Sequence, residues 1–131
     1  MPNPSDPEST RIDARGIRPP AAFVVEHASV RGNVALLVFR GELDLAAATA
    51  MRARVESVAG TALVIDVRDV TFIDSSALRE LLNAREAVVG SGRRLVLAGV
   101  PPSVQRLLDM TGTTELFETA PTRASALARL A

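Results

Sequence analysis

The sequence predicts an α/β protein, with a mixed sheet of about four to five strands covered by about four helices. Short runs rich in Val, Ile and Leu, such as residues 62–67 and 94–98, have the composition of strands covered on both faces. Between them lie longer stretches whose apolar residues recur at helical spacing. Glycine or proline stands at most of the changeovers. Strands that alternate with helices build a largely parallel or mixed sheet with helices packed over it.

The elements follow in order. Residues 1–20 read as a disordered tail, because Pro2, Pro4, Pro7, Pro19 and Pro20 are scattered among polar and charged residues without any period. The folded domain is expected over 21–131. Residues 23–28 and 34–39 read as two strands joined by a turn at Arg31-Gly32-Asn33, which suggests a hairpin. Gly41-Glu42-Leu43-Asp44 reads as a loop ending in a helix cap, Asp44. The alanine-rich segment 45–59 is helical by propensity, with Met51, Val55 and Val58 facing inward and Gly60 as its stop. A strand over 62–67 follows, with Asp66 and Asp69 read as a strand-end hydrogen bond and a solvated turn. Then comes a helix from Ser75 to Val89 with Leu78, Leu81, Leu82, Val88 and Val89 on one side. Arg85 breaks into that stripe, its stem packing and its head reaching the edge.

Residues 94–98 form the next strand. Pro101-Pro102-Ser103 opens a short helix with Val104, Leu107 and Leu108 inward, and Gly112 ends it. Leu116-Phe117 reads as a last short strand, and residues 121–130 as a closing helix with Leu127 and Leu130 on one side.

Composition narrows the function. The chain has 131 residues, 47% of them hydrophobic and 23% charged, which is one globular domain with enough apolar surface for a core. Its formal net charge is zero, so no electrostatic footing for nucleic acid or an anionic membrane exists. The absence of cysteine removes disulfides, thiol catalysis and thiolate metal sites. A single histidine, His27, rules out a histidine metal cluster. No stretch is long and apolar enough for a membrane span, and no secretory leader is visible, so the expected location is cytoplasmic. No metal and no cofactor are expected.

The chemistry concentrates in Thr71-Phe72-Ile73-Asp74-Ser75-Ser76-Ala77-Leu78. An acid and two hydroxyls sit where a strand hands over to a helix. Free N–H groups and the positive dipole end make such a point tolerant of an anion, a phosphate included. The plain alternative is helix capping, by Ser75, Asp74 or Ser76. Asp44 is likewise read here as a helix cap. A serine hydrolase is a poor fit, since His27 lies on the first strand and no Gly-x-Ser-x-Gly elbow is present. Gly90-Ser91-Gly92 follows a helix and so is no phosphate loop.

Three stretches, in order, resemble the STAS family in its anti-sigma factor antagonist branch. Phe39-Arg40-Gly41-Glu42-Leu43-Asp44 is similar to its Gly-Glu-Leu-Asp signature. The strand from Val64 and the motif through Leu78 are similar to its strand and Asp-Ser-Ser-Gly-Leu motif. Val104-Gln105-Arg106-Leu107-Leu108 with Gly112 is similar to its later helix and stop. The resemblance implies a non-enzymatic protein that binds a kinase-type anti-sigma factor, of the histidine-kinase-like ATPase fold, and so releases a sigma factor. It implies phosphorylation of Ser75 by that partner, reversal by a serine phosphatase, and a monomer or weak dimer. The implied partner surface comprises Asp44, Asp74, Ser76, Ala77 and Arg79. The family favours glycine where this chain has Ala77, and the added methyl would crowd an approaching kinase. Other STAS domains act as unmodified scaffolds in transporter or multi-protein assemblies, which is the rival reading.

Overall fold

The computed structural model describes residues 23–131, so the predicted tail lies outside the described residues. Two strands, β1 (Phe23–Arg31) and β2 (Val34–Leu43), form the expected antiparallel hairpin around Gly32-Asn33. Helix α1 (Leu45–Ser57) leads to β3 (Ala62–Ile73), and α2 (Ser75–Gly90) leads to β4 (Leu95–Ala98). After α3 (Pro102–Thr111) and a single 3₁₀ turn, β5 (Glu118–Ala120) and α4 (Arg123–Leu130) close the chain. The sheet order is β1-β2-β3-β4-β5, with β2 through β5 parallel. The fold is the mixed α/β sheet that the sequence predicts.

Strand alternation divides the core between two faces. Ala35, Leu37 and Phe39 of β2 join Leu63, Ile65 and Val67 of β3 under α1, α2 and α3. Leu36, Val38, Val64, Val96 and Ala98 point the other way, where Ala126, Leu127 and Leu130 of α4 cover them. Helix α1 presents mainly small side chains, with Ala47 and Ala48 buried beside Met51. In α2 the buried stripe is Ala77, Leu78, Glu80, Leu81, Ala84 and Val88, while Val89 is exposed. Gly112 ends α3 in the left-handed conformation, φ 69°, which its missing side chain permits.

Three expectations are corrected. Residues 41–43 are the end of β2, so the Gly-Glu-Leu-Asp stretch is strand up to its cap rather than loop. Strand β3 runs six residues past Val67 to Ile73, and Asp69 lies on it instead of in a turn. The register of β3 against β2 shifts between Val38 and Arg40 and again between Gly41 and Glu42. Each shift admits an extra β3 residue, so Val67, Val70 and Ile73, three apart, stay on one buried face. Finally, Leu116 falls in the 3₁₀ turn and the last strand begins one residue after Phe117, whose ring is buried.

Candidate functional site

Parallel pairing brings two helix starts together. Leu43 at the end of β2 pairs with Ile73 at the end of β3. The next residue in each case is an N-capping aspartate. Asp44 Oδ1 accepts the Ala46 N–H at 3.0 Å, and Asp74 Oδ1 accepts the Ala77 N–H at 3.0 Å. Both caps have the extended backbone that lets a short acid reach forward into the first turn. Capping is therefore one role of both acids, and Asp74, not Ser75, is the cap of α2.

Ser75 and Ser76 are the first two residues of α2. Ser75 is exposed and Ser76 half-buried. Their N–H groups precede the intrahelical ladder, and Asp74 Oδ1 serves the third. Arg79 is exposed one turn further along. Ala77 is fully buried, and its methyl belongs to the core between α2 and the sheet. It faces away from solvent, so it crowds nothing that approaches Ser75 and offers a partner no side-chain contact.

Sequence reasoning missed the apolar rim. Phe72 is 50% exposed and Met110 77% exposed, and both line a cleft of about 410 Å³ between the end of β3 and α3. Pro102, Arg106 and Leu107 complete its wall, and Ser103 Oγ donates to the Val70 carbonyl at 3.1 Å to hold α3 there. Leu45, at the start of α1, is also exposed. Phe72 was visible in the motif, yet only the β3 bulges decide that its ring points outward.

A second missed feature is an ion pair between the helices. Glu80 is buried and takes Arg52 Nη2 at 2.6 Å and Nε at 3.3 Å. The hydrogen bond from Arg52 holds the Glu80 carboxyl below the usual carboxylate range, against the upward push of burial. Asp66, on the opposite face of the sheet, accepts from the Arg68 N–H at 3.0 Å and pairs with Arg123 of α4 at 2.9 Å. Asp69 is exposed and only 4.0 Å from Arg40. The Arg85 guanidinium donates to the Leu116 carbonyl, as a stem-packed, edge-reaching arginine would.

No group of three or more His, Cys, Asp or Glu side chains among the described residues could hold a metal ion. His27 pairs with Leu37, midway along β2 and not at the carboxyl end where Ser75 stands. Among the described residues no helix is long and apolar enough to cross a membrane.

This is an α/β domain that presents an acid-capped serine pair at the carboxyl edge of a mixed sheet. The model of the STAS domain matches residues 27–126, and the chain belongs to that family. A STAS-domain-containing protein of Pseudomonas aeruginosa is 33% identical over 92 residues, which span 69% of this chain and 91% of that protein. An anti-sigma factor antagonist from Mycobacterium paratuberculosis superposes with a TM-score of 0.74 at 25% identity, covering 87% of this chain and 98% of that one. Two likenesses at lower identity show the fold alone. The Bacillus cell fate determinant SpoIIAA in its phosphorylated form gives 0.65 at 19% identity, over 82% of this chain and all of that one (100%). A sulfate transporter family protein from Wolinella succinogenes gives 0.68 at 20%, over 79% and 88%.

Proposed function

We propose that this chain is an anti-sigma factor antagonist that binds a kinase-type anti-sigma factor, frees a sigma factor, and is switched off by phosphorylation of Ser75. The observation that carries the reading is the position of Ser75: exposed, first in α2, beside two N-capping aspartates. The antagonist from Mycobacterium paratuberculosis and the phosphorylated SpoIIAA support it by their likeness. Asp44, Asp74, Ser76 and Arg79 flank the hydroxyl and form the polar part of the contact surface. Phe72 and Met110 extend it with apolar area of the kind that protein partners cover.

The switch is electrostatic. A phosphate adds about −1.5 to −2 charge and three acceptor oxygens. The free N–H groups of the first turn accommodate it, so the fold does not melt. The same charge, beside Asp74 on a surface the partner must desolvate, opposes binding. About 1.4 kcal/mol of such opposition is tenfold in affinity. A serine phosphatase would restore the binding form, and the setting expected for this exchange is the cytoplasm.

The test is mass spectrometry after incubation with ATP and a kinase-type anti-sigma factor from the same cell. One phosphoryl group mapped to Ser75 and absent in Ser75→Ala is the expected result. Ser75→Asp should weaken the complex at least about tenfold. The transporter-family likeness favours one other reading, an unmodified scaffold. In that case the complex forms without a change in mass, and Ser75→Asp binds as well as the parent.

A further inference from the structure

We propose that Arg79 is the built-in counter-ion of a phosphate on Ser75, and that the charges along α2 favour Ser75 over Ser76 as the modified hydroxyl. The inference rests on the reading of Ser75 as an acceptor and adds what in this chain holds the phosphate. Side chains four apart on a helix stand one above the other. Ser75 therefore shares a face with Arg79, and both are exposed. Arg52, Arg94 and Arg123 each pair with a carboxylate, whereas Arg79 has no ion-pair partner among the described residues. An anion preceding a cation by four residues is the favoured order, since it also matches the helix dipole. The first turn of α2 contains no acid, so that favoured position is empty until Ser75 is modified.

Ser76, three residues before Arg79, is also within reach of that cation, but its neighbour four residues on carries the opposite charge. Its partner four residues on is Glu80, buried, with both oxygens already engaged by Arg52. A phosphate on Ser76 would stand over that carboxylate and compete for the same guanidinium. Ser76 is also half-buried, which adds a desolvation cost that Ser75 avoids.

This arrangement sharpens the switch. In the unmodified chain the Arg79 cation is open to an acidic group of the partner. After modification it turns to the phosphate of its own helix. One event thus adds negative charge to the contact surface and withdraws a positive one.

The test uses the full chain with phosphoserine incorporated during synthesis at position 75 or, separately, at position 76, followed by ³¹P NMR titration. The second phosphate ionisation, ordinarily near about 6, is expected to move upward by about 0.3 pH unit in Arg79→Gln when the phosphate is on residue 75. Arg79→Lys should restore most of the difference, and about 1 M salt should shrink it. With the phosphate on residue 76, three residues from Arg79 and four from the Glu80 carboxylate, Arg79→Gln should move the titration by less than it does at residue 75. At a given phosphate position Asp44 and Asp74 are the same in the parent and the Arg79 variants, so their field cancels in that difference. An unmoved titration at residue 75, or an equal response at residue 76, overturns the role of Arg79. Because no kinase is used, that failure is separate from failure of the acceptor reading, which would show as no transfer from ATP.

Discussion

The backbone N–H of Asp74 donates to the carbonyl oxygen of Leu43 at 3.0 Å. Leu43 is the last residue of β2 and Asp74 the first after β3, so this bond closes the parallel ladder at the point where α1 and α2 depart. The sheet register itself sets Asp44 and Asp74 next to each other. Ser75 needs no loop to hold it, because a strand end and a capped helix fix its backbone from both sides. A site built on regular elements keeps its geometry when charge is added to it.

The caps should be measurable as stability. Asp44→Ala and Asp74→Ala are each expected to cost about 1 kcal/mol in urea unfolding, the usual loss for an aspartate cap. Asn at either position keeps the accepting oxygen and should recover most of that loss. If the partner surface needs the charge as well, Asp74→Asn will be nearly as stable as the parent and yet bind the anti-sigma factor more weakly. The two alanine changes directly follow strand ends joined by the Leu43–Asp74 bond, so their combined effect should depart from the sum.

Ala77 separates stability from recognition in the other direction. Its methyl is wholly inside the core and its N–H is held by the Asp74 carboxylate. Ala77→Gly, which restores the residue more usual in the family, is expected to destabilise by about 1 kcal/mol through helix propensity. Phosphorylation of Ser75 by the partner kinase should proceed at the parent rate, as read by single-turnover transfer from ATP. A large gain in rate would mean that the methyl obstructs the kinase after all.

The local chemistry of the site was legible in the sequence because capping and helix entry are short-range. Asp44, Asp74, Ser75 and Ser76 announce two helix starts by residue type alone. What stayed hidden depends on register and on distant pairs. Val67, Val70 and Ile73 have neither the period of a flat strand nor that of a helix, and only two bulges put all three on one face. The outer half of β3 was therefore invisible, and with it the exposure of Phe72. Arg52 and Glu80 lie 28 residues apart on different helices, so nothing local links them. Ala77 reads in the sequence as a methyl that an approaching kinase would meet, because the capping pattern marks where α2 starts and leaves open which side of its first turn faces the sheet. The fold turns that position inward.

Gly99 tests the crowding at the carboxyl edge. It adopts φ 69°, and a Cβ built there meets the Arg68 Cβ at 3.0 Å and its Cα at 3.4 Å. Gly92 has a similar φ of 83° with no neighbour within 4 Å. Gly92→Ala should cost about 1–2 kcal/mol for the left-handed backbone alone. Gly99→Ala carries the same cost plus displacement of β3 at Arg68, so its urea midpoint should fall further. Equal losses would mean that β3 yields freely at this point.

The Arg52–Glu80 pair predicts how stability responds to acid. Glu80 has its carboxyl lowered from an ordinary value of 4.5, first by the hydrogen bond from Arg52, and Glu118 is lowered in the same way by Arg94. In the window below 4.5 the unfolded chain binds these protons before the folded one does. Their stabilisation is therefore present above that value and is lost as pH falls through the lower, folded-state values. Urea midpoints measured at about pH 7, 5 and 3.5 should decline toward acid in the parent. Arg52→Ala should lower the midpoint at neutral pH, where it strands a buried carboxylate, and should flatten the decline. Glu80→Gln should flatten it too while losing less at neutral pH, because no charge is left buried without its partner. An undiminished acid slope in both variants would assign the acid response to Glu118 and the exposed carboxylates, and would leave the α1–α2 pair without a part in it.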